Sequence, residues 1–541
     1  MINGRPVLLG GYAAKSCPRA VHNRYDRTVP RPGTTVAPEL QQLFDTGTAF
    51  EDELLGAWAA LGLPGYVDLR DLDGDKRAHI GATIGAMRAR ATVIVGGRLP
   101  DDEPGHRTGK PDLLVRAAGG GYHPADIKAH QVLTKGTDAL VSTLDAPALA
   151  AAARRADARA KAHEDDLLQL AHYWRMLQAC GHQADAPWAA VIGTDGPHLV
   201  WYDLSLPRFL TFSRSRGKAE RSALDRYDHE HAFRVRVAEV AARREGLPTD
   251  PEPLVVPIGH AECETCPWAP VCVEQLPPTD LSRELRGTLS VREYLALRDT
   301  GVRTVESLAD SEPAALLAGP YGSEVHHLRQ HRHRLRKATV AAQLARDGLV
   351  LRIKDGPLPP VPRADVEIDI DAEWGVDDRV YLWGLLITSD GVSRYESFFD
   401  PVLPDEAYPA RRCLDRLDAL AAAAEAAGRS LLVFHYTPPE RTRALTFPPP
   451  PRGAAHPDRW VDVYPLVRAT VESRAGLGLK TVAVHGAGFR WRDEDPGGLQ
   501  SQEWHRRARE GDRAAAQRIL QYNEDDVRAT LTVRNWLTTV R

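Results

Sequence analysis

The stretch Gly109 to His130, GKPDLLVRAAGGGYHPADIKAH, constrains this chain more than any other. Two segments of alternating apolar and polar residues, Pro111 to Arg116 and Tyr122 to Lys128, flank Gly119-Gly120-Gly121. Glycine's freedom at positive φ suits a tight reversal, so the pattern predicts a β-hairpin. Alternation with period two sends Asp126 and Lys128 to one face and Ile127 to the other, and folding back brings Asp112 roughly opposite them. Two carboxylates and an ammonium then share one surface. The acids can hold a divalent metal while the lysine orients a water or neutralises charge on a phosphate, which makes the hairpin a candidate phosphodiester-cleaving centre.

A chain of 541 residues exceeds one ordinary core and predicts two or three domains. Its 43% hydrophobic and 26% charged residues are those of a folded globular protein rather than a disordered one. No apolar run is long enough to span a bilayer and the N-terminus lacks a signal-peptide core, so the expectation is a cytoplasmic protein without a membrane partner. A net charge of −4 supplies no global attraction for nucleic acid, and any such binding must come from local patches.

Further along, TGTAFEDELLGAWAALG carries Phe50, Leu54, Leu55 and Trp58 at helical spacing and places Glu51 beside that stripe. An Ala-rich amphipathic region from Asp145 to Gly181 ends in EDDLLQLAHYWRMLQACG, where Gln169 and Tyr173 share a helix face. WAAVIGT and HLVWYDL read as strands. Residues 278–348 read as a helical linker: LSVREYLALRDTGVRTVESLAD has the pattern of a helix-hairpin-helix, whose turn amides can bind phosphate, or of plainly packed helices. HHLRQHRHRLRK, residues 326–337, is a basic segment that could track a nucleic-acid backbone or form a solvated face. From 349 to 541, the strands VEIDIDAEW, RVYLWGLLIT, RYESFFD and LLVFHY, with a helix over 408–428 and more helices after it, suit a ribonuclease H-like α/β sheet.

Three of the six cysteines, Cys263, Cys266 and Cys272, form C-x2-C-x5-C, a spacing that usually binds metal. Cys17 is the candidate fourth ligand, and His260 in HAECETC offers a zinc alternative. Cys180 and Cys413 stand alone and read as small apolar fillers.

Taken in order, Gly47-x3-Glu51, Pro111-Asp112, Asp126-x-Lys128 and Gln169-x3-Tyr173 resemble the motifs of the RecB-like branch of the PD-(D/E)xK nucleases. One cysteine before that core and three after it is similar to the iron-sulfur staple of the same branch. The resemblance covers residues 1–277 and implies a restriction-endonuclease-like fold. It further implies that Glu51, Asp112 and Asp126 hold Mg²⁺ or Mn²⁺, that Lys128 positions the attacking water, and that Gln169 and Tyr173 contact DNA or brace the site. Cys17, Cys263, Cys266 and Cys272 would hold a 4Fe-4S cluster. Asp126 stands where many relatives have Glu.

In the C-terminal part, alternation along VEIDIDAEW puts Asp369, Asp371 and Glu373 on one face, and clustered acids call for cations. YNEDDV sets Tyr522 and Asp526 four apart on a helix. The order resembles a DnaQ-type exonuclease of the DEDDy kind: Asp371 and Glu373 as first motif, Glu440 in HYTPPE as second, Tyr522 and Asp526 as third. The second motif departs from that pattern, with Tyr436 in place of Asn and Glu440 in place of Asp, which leaves a substrate-holding role open. Asp462 could be a further acid or a helix cap. VYLWG, GLGLKTVA and GFRWRDEDPGGLQS also look like the C-terminal half of a RecB-like putative nuclease family that joins the two domains. The layout implies a metal-dependent DNA nuclease acting on single strands or ends, in repair, recombination or defence. The rivals are a catalytically silent nucleic-acid clamp, and a zinc-stapled enzyme that processes RNA through its C-terminal domain.

Overall fold

A computed structural model describes residues 6–33, 38–72, 74–213, 217–375, 379–401, 406–493 and 498–540. The chain divides into one unit of residues 1–278 with 326–329, and a second of 279–325 with 330–541. Among the described residues, no helix is long and apolar enough to cross a membrane.

The described residues of the first unit form twelve strands: β1 (Tyr66–Asp68), β2 (Val93–Val95), β3 (Leu113–Arg116), β4 (Tyr122–Ile127), β5 (Leu133–Lys135), β6 (Ala139–Thr143), β7 (Ala153–Arg155), β8 (Ala158–Ala160), β9 (Trp188–Ile192), β10 (His198–Asp203), β11 (Phe209–Ser213) and β12 (Gly217–Arg221). Eight of them form one sheet in the order β1-β2-β3-β4-β9-β10-β6-β7. The expected hairpin is β3-β4, with Leu113 opposite Ala125 and Arg116 opposite Tyr122. Gly121 turns it at φ +71°, and a Cβ there would collide with the Gln183 carbonyl, so the residue serves both the reversal and a close approach. A parallel β4-β9 pairing then places β4 mid-sheet. All six of its residues are buried because helices cover both faces.

The helices of this unit are α1 (Pro18–Tyr25), α2 (Pro38–Ala60), α3 (Lys76–Arg88), α4 (Glu164–Ala179), α5 (Ala223–Ala241) and α6 (Ala269–Glu274). Leu54, Leu55 and Trp58 of α2 bury against Val93, Leu113, Val115 and Ala125 on one face. Leu168, Ala171 and Trp174 of α4 join Val191, Val200 and Tyr202 on the other, and Tyr173, Met176 and Leu177 meet Ile94 and Leu114. Of the Ala-rich region from Asp145 to Gly181, only the α4 portion is helical. The alanines before it form a 3₁₀ turn at Leu149–Ala151 and the short strands β7 and β8. Pairing β7 to β6 and β8 to β5 completes ladders that a helix would leave open, and so overrides alanine's helix propensity.

The second unit begins with α7 (Leu281–Glu284), α8 (Val291–Asp299), α9 (Val305–Ala309), α10 (Pro313–Ala318), α11 (Pro320–Val325) and α12 (His331–Arg346). In the turn between α8 and α9, the Thr300, Gly301 and Val302 amides donate back to carbonyls of Leu297 and Arg298, which commits them within the helix end. The basic segment continues as α12, whose Leu335, Ala338, Thr339 and Ala342 are buried while Arg332, Arg336 and Lys337 face solvent.

Beyond it come β13 (Leu351–Ile353), β14 (Val366–Trp374), β15 (Val380–Ser389), β16 (Val392–Phe399), β17 (Leu431–His435), β18 (Val461–Asp462) and β19 (Val471–Ser473). The helices are α13 (Ala407–Ala426), α14 (Pro439–Ala444), α15 (Val463–Thr470), α16 (Leu479–His485), α17 (Gly498–Arg509) and α18 (Arg513–Thr539). The five-stranded sheet runs β16-β15-β14-β17-β18, with β14 to β16 antiparallel and β14, β17 and β18 parallel. Ile368, Ile370 and Ala372 of β14 pack under α13 with Cys413 and Leu414, so Cys413 is the core filler expected of it. The acids of β14 alternate with these and face the opposite side, where α18 lies.

Candidate metal centres

At the end of the β3-β4 hairpin, Asp126 is fully buried and its Oδ2 lies 2.5 Å from Lys128 Nζ. Asp112 lies beside Asp126, and its Oδ2 accepts the Ile127 amide at 3.0 Å. Burial holds the Asp112 carboxyl well above its usual range, and the negative charge of Asp126 adds to this. For Lys128, burial favours the neutral amine, but Asp126 and Asp112 outweigh it and keep the pKa above that of an ordinary lysine. The ammonium is thus a fixed positive charge within an acid pair.

Gln169 and Tyr173 reach the same place from α4. Lys128 Nζ donates to Gln169 Oε1 at 3.4 Å, and Gln169 Nε2 donates to the Tyr173 hydroxyl at 3.4 Å. Glu51 stands half-buried on α2; burial raises its pKa against Arg70, with Asp52 and Asp126 adding to the rise, so the charge of Asp126 is felt there. Two residues that the sequence did not mark complete the group. Lys15 Nζ donates to the same Gln169 Oε1 at 3.1 Å and sits 4.4 Å from the ring centre of Tyr12. Its position two residues before Cys17 was the one available signal.

Cys17, Cys263, Cys266 and Cys272 line one cavity together with His260 and Trp268. Cys17 sits at the start of α1 and its amide donates to Glu262 at 2.8 Å, which brings segments 245 residues apart together. Asn23 donates to Cys272 Sγ at 3.4 Å. Hydrogen bonds to Cys17 and Cys263 push the His260 imidazole up to about 10, and burial pushes the Cys266 thiol up to about 11. Half-buried thiols converging on one cavity are a donor set suited to a soft or borderline metal, whose binding would displace their protons. Cys180 instead caps α4 and bonds the Leu177 carbonyl.

In the second unit, one carboxylate oxygen from each of Asp371, Glu373 and Asp526 lies within 4.8 Å of the others. Each acid has a dedicated hydrogen-bond partner. Asn523 Nδ2 donates to Asp371 Oδ2 at 2.7 Å and is itself held by Tyr395 at 2.7 Å. Ser501 donates to Glu373 at 2.9 Å, and the Trp491 indole donates to Asp526 at 2.7 Å. Gly384 lies across from Asp371 on β15, where a Cβ would run into Asn523 Oδ1, so the glycine of VYLWG makes room for that amide.

Burial raises every acid here, and the charge of a neighbouring acid adds to it. Asp371 stands well above its usual range, and Glu373 is pushed up to about 8 by burial and then by Asp526. Burial lifts Asp526 to about 6. Glu440 on α14 is pushed up to about 8 by burial, with Asp462 and Asp526 adding to it, and no described residue hydrogen-bonds its buried Oε2. Its charge acts on Asp371 and Glu373, which makes it a fourth acid near this centre. Three converging carboxylates with a fourth acid nearby fit one or two hard divalent cations. Tyr522 accepts a hydrogen bond from Lys480 Nζ at 3.0 Å, and burial beside three acids keeps its phenol protonated. Lys480 lay within the quoted GLGLKTVA, but nothing in its spacing pointed to Tyr522.

Three residues singled out in the sequence stand apart from the cluster. Asp369 shares the strand face with Asp371, yet it forms no part of the cluster: Arg534 donates to it through Nε at 2.9 Å and Nη2 at 2.7 Å. Asp462 caps α15 through the Tyr464 amide at 2.9 Å and acts on Glu440 only through its charge. Tyr436, at the expected Asn position, turns away and donates to the Leu477 carbonyl at 2.6 Å. Of GFRWRDEDPGGLQS, residues 494–497 lie outside the described residues.

The RNase_H superfamily matches residues 368–538, which span β14 to α18 and contain Asp371, Glu373, Glu440, Tyr522 and Asp526. The C-terminal domain is ribonuclease H-like. No curated protein and no solved structure matches the chain.

Proposed function

We propose that the protein is a metal-dependent nuclease that hydrolyses phosphodiester bonds in DNA, acting on single strands or ends, with one centre in each unit. The carrying observation is the buried Asp371, Glu373 and Asp526 cluster inside a ribonuclease H-like domain. There these three residues, with Glu440 beside them, would hold Mg²⁺ or Mn²⁺. The bound cation supplies Lewis-acid polarisation of the phosphate and a more acidic water. Asn523, Ser501 and Trp491 aim the carboxylates. Lys480 fixes the Tyr522 phenol, which keeps its proton and so can orient a water by donating to it. Glu440 supplies the carboxylate that Asp gives in the exonuclease pattern, one methylene longer and from the start of a short helix.

For the first unit we propose a RecB-like PD-(D/E)xK centre. Asp112 and Asp126, with Glu51, would ligate a cation of the same kind. Lys128 presents a permanent ammonium where charge builds on the phosphate, and Gln169 sets its direction. Four thiols on one cavity support a 4Fe-4S staple that ties Cys17 to the segment from Cys263 to Cys272. The nearness of His260 to Cys17 and Cys263 favours zinc as the second reading of that cavity. Protein purified without air is brown and iron-rich in the first case, colourless and zinc-rich in the second.

The test is digestion of labelled single- and double-stranded DNA and RNA with Mn²⁺ by wild type, Lys128→Ala and Asp371→Ala. We expect wild type to degrade DNA and each variant to lose one component of that activity. Intact DNA and RNA after incubation with wild type would leave the silent clamp as the reading.

A further inference from the structure

His130, His163 and Asp166 lie in the first unit, outside the constellations above, and one ligand atom from each falls within 4.8 Å of the other two. His130 follows β4 two residues after Lys128, His163 is the N-cap of α4, and Asp166 stands in its first turn. The two imidazole rings are 4.3 Å apart between centroids. Both use the same backbone carbonyl: Gln131 O lies 3.3 Å from His130 Nδ1 and 3.2 Å from His163 Nε2. A ring N–H must point at that oxygen in each case, which leaves His130 Nε2 and His163 Nδ1 as lone-pair donors. This is the way ligating histidines are oriented, one nitrogen bonded to a backbone carbonyl and the other free for metal.

Asp166 is the third donor of the group. It is 7% exposed, and its Oδ2 receives no hydrogen bond from any described residue, although it faces His130 Nε2 at 3.0 Å. His130 Nε2 and Asp166 Oδ2 thus face each other at the mouth of the group, with the His163 ring beside them, close enough for one cation to bind all three. Two imidazoles and one carboxylate are borderline donors, the set that takes Zn²⁺ with a fourth position left for water, in preference to the all-oxygen shell of Mg²⁺.

We propose that His130, His163 and Asp166 form a Zn²⁺ site that clips the end of the β4 strand to the first turn of α4. Those two elements carry Asp126 and Lys128 on one side and Gln169 and Tyr173 on the other, and they meet at the Lys128 to Gln169 contact. The metal would fix the helix against the strand at the point where its first turn begins. Zinc binding here rests on no part of the nuclease reading; only its effect on Lys128 would.

Full-length protein, stripped of loosely held metal with a chelator, is titrated with Co²⁺ as a spectroscopic stand-in for Zn²⁺, in wild type and in His130→Asn/His163→Asn. Asparagine is a favourable N-cap, so the substitution at 163 preserves the start of the helix. Wild type should bind one Co²⁺ more per chain than the variant, with ligand-field bands and no sulfur-to-cobalt charge transfer, and Zn²⁺ should displace it. Asp166→Asn, which keeps size and shape, should weaken uptake at this position by at least about tenfold. Equal uptake by wild type and the double variant overturns the proposal, as does an extra equivalent that shows thiolate charge transfer. Uptake is counted without nucleic acid, so a failed nuclease assay leaves this result standing.

Discussion

At the scale of single residues, the acids of the second unit set a pH dependence. Glu373 and Glu440 are held near about 8 and Asp526 near about 6, against 4.5 and 3.8 for free side chains. A carboxyl raised by folding stabilises fully below its unfolded value, and that contribution disappears as the pH passes the folded one. Without metal, the melting temperature of the second unit should therefore fall from about pH 5 to about pH 9. Mn²⁺ competes with those protons, so its stabilising shift should grow over the same range. Calorimetry with and without Mn²⁺ measures both, and a pH-independent Mn²⁺ shift would remove this centre as the binding site. In the first unit, Lys128→Ala should reduce turnover at that centre on the order of 10²- to 10³-fold, the scale of removing one well-placed electrostatic donor. The substitution also leaves the buried Asp126 without its cation, so turnover is compared per folded protein once the melting curve of the variant has been recorded. A variant with unchanged turnover would deny the ammonium its role.

At the scale of elements, β14 and α18 meet through Arg534, which is 0% exposed, bonds Glu367 and Asp369, and stacks 3.6 Å from the centre of the Phe434 ring. Arg534→Ala leaves the buried Asp369 unpaired, while Glu367 keeps Arg363, and should destabilise the second unit by about 3–5 kcal/mol, measurable by urea unfolding. A loss under about 1 kcal/mol would mean that water enters and replaces the guanidinium. The β14-β15 ladder carries a more specific dependence. Gly384→Ala pushes Asn523 off Asp371, and turnover at this centre should fall by about tenfold or more with a stability cost of about 1–3 kcal/mol. Equal loss of stability with full turnover would show that Asp371 needs no such brace. These elements were readable from the sequence where one face is apolar: the hairpin, α2, α4 and the β14-to-β17 run follow their periodicities. The Ala-rich stretch ahead of α4 was not, since its strand form comes from partners β5 and β6, which local propensity does not contain.

At the scale of the whole molecule, the proposal of two centres makes their separability testable. Cys272→Ser removes one thiol of the cavity and should lower the melting temperature of the first unit and weaken the activity that depends on Lys128. The activity that depends on Asp371 should persist, because the cysteines belong to the first unit and that acid to the second. If Cys272→Ser abolished both, the two centres would be one functional site.

What the sequence determined by itself is the elements on which the candidate site residues ride. Period-two and period-3.6 patterns place Asp112, Asp126 and Lys128 on a hairpin, Gln169 and Tyr173 on one helix face, and Asp371 with Glu373 on one strand face. Only the tertiary structure decided which acids meet. Asp369 and Asp371 are alike in type and strand face, yet one is neutralised by Arg534 and the other joins Glu373 and Asp526. Lys15, Lys480 and Asn523 also depend on contacts across long stretches of chain. The His130, His163 and Asp166 group shows the same limit. The physical reason is that periodicity reports which way a side chain points from its own element, whereas a site needs the partner that packing brings opposite it, and that partner leaves no mark on local spacing.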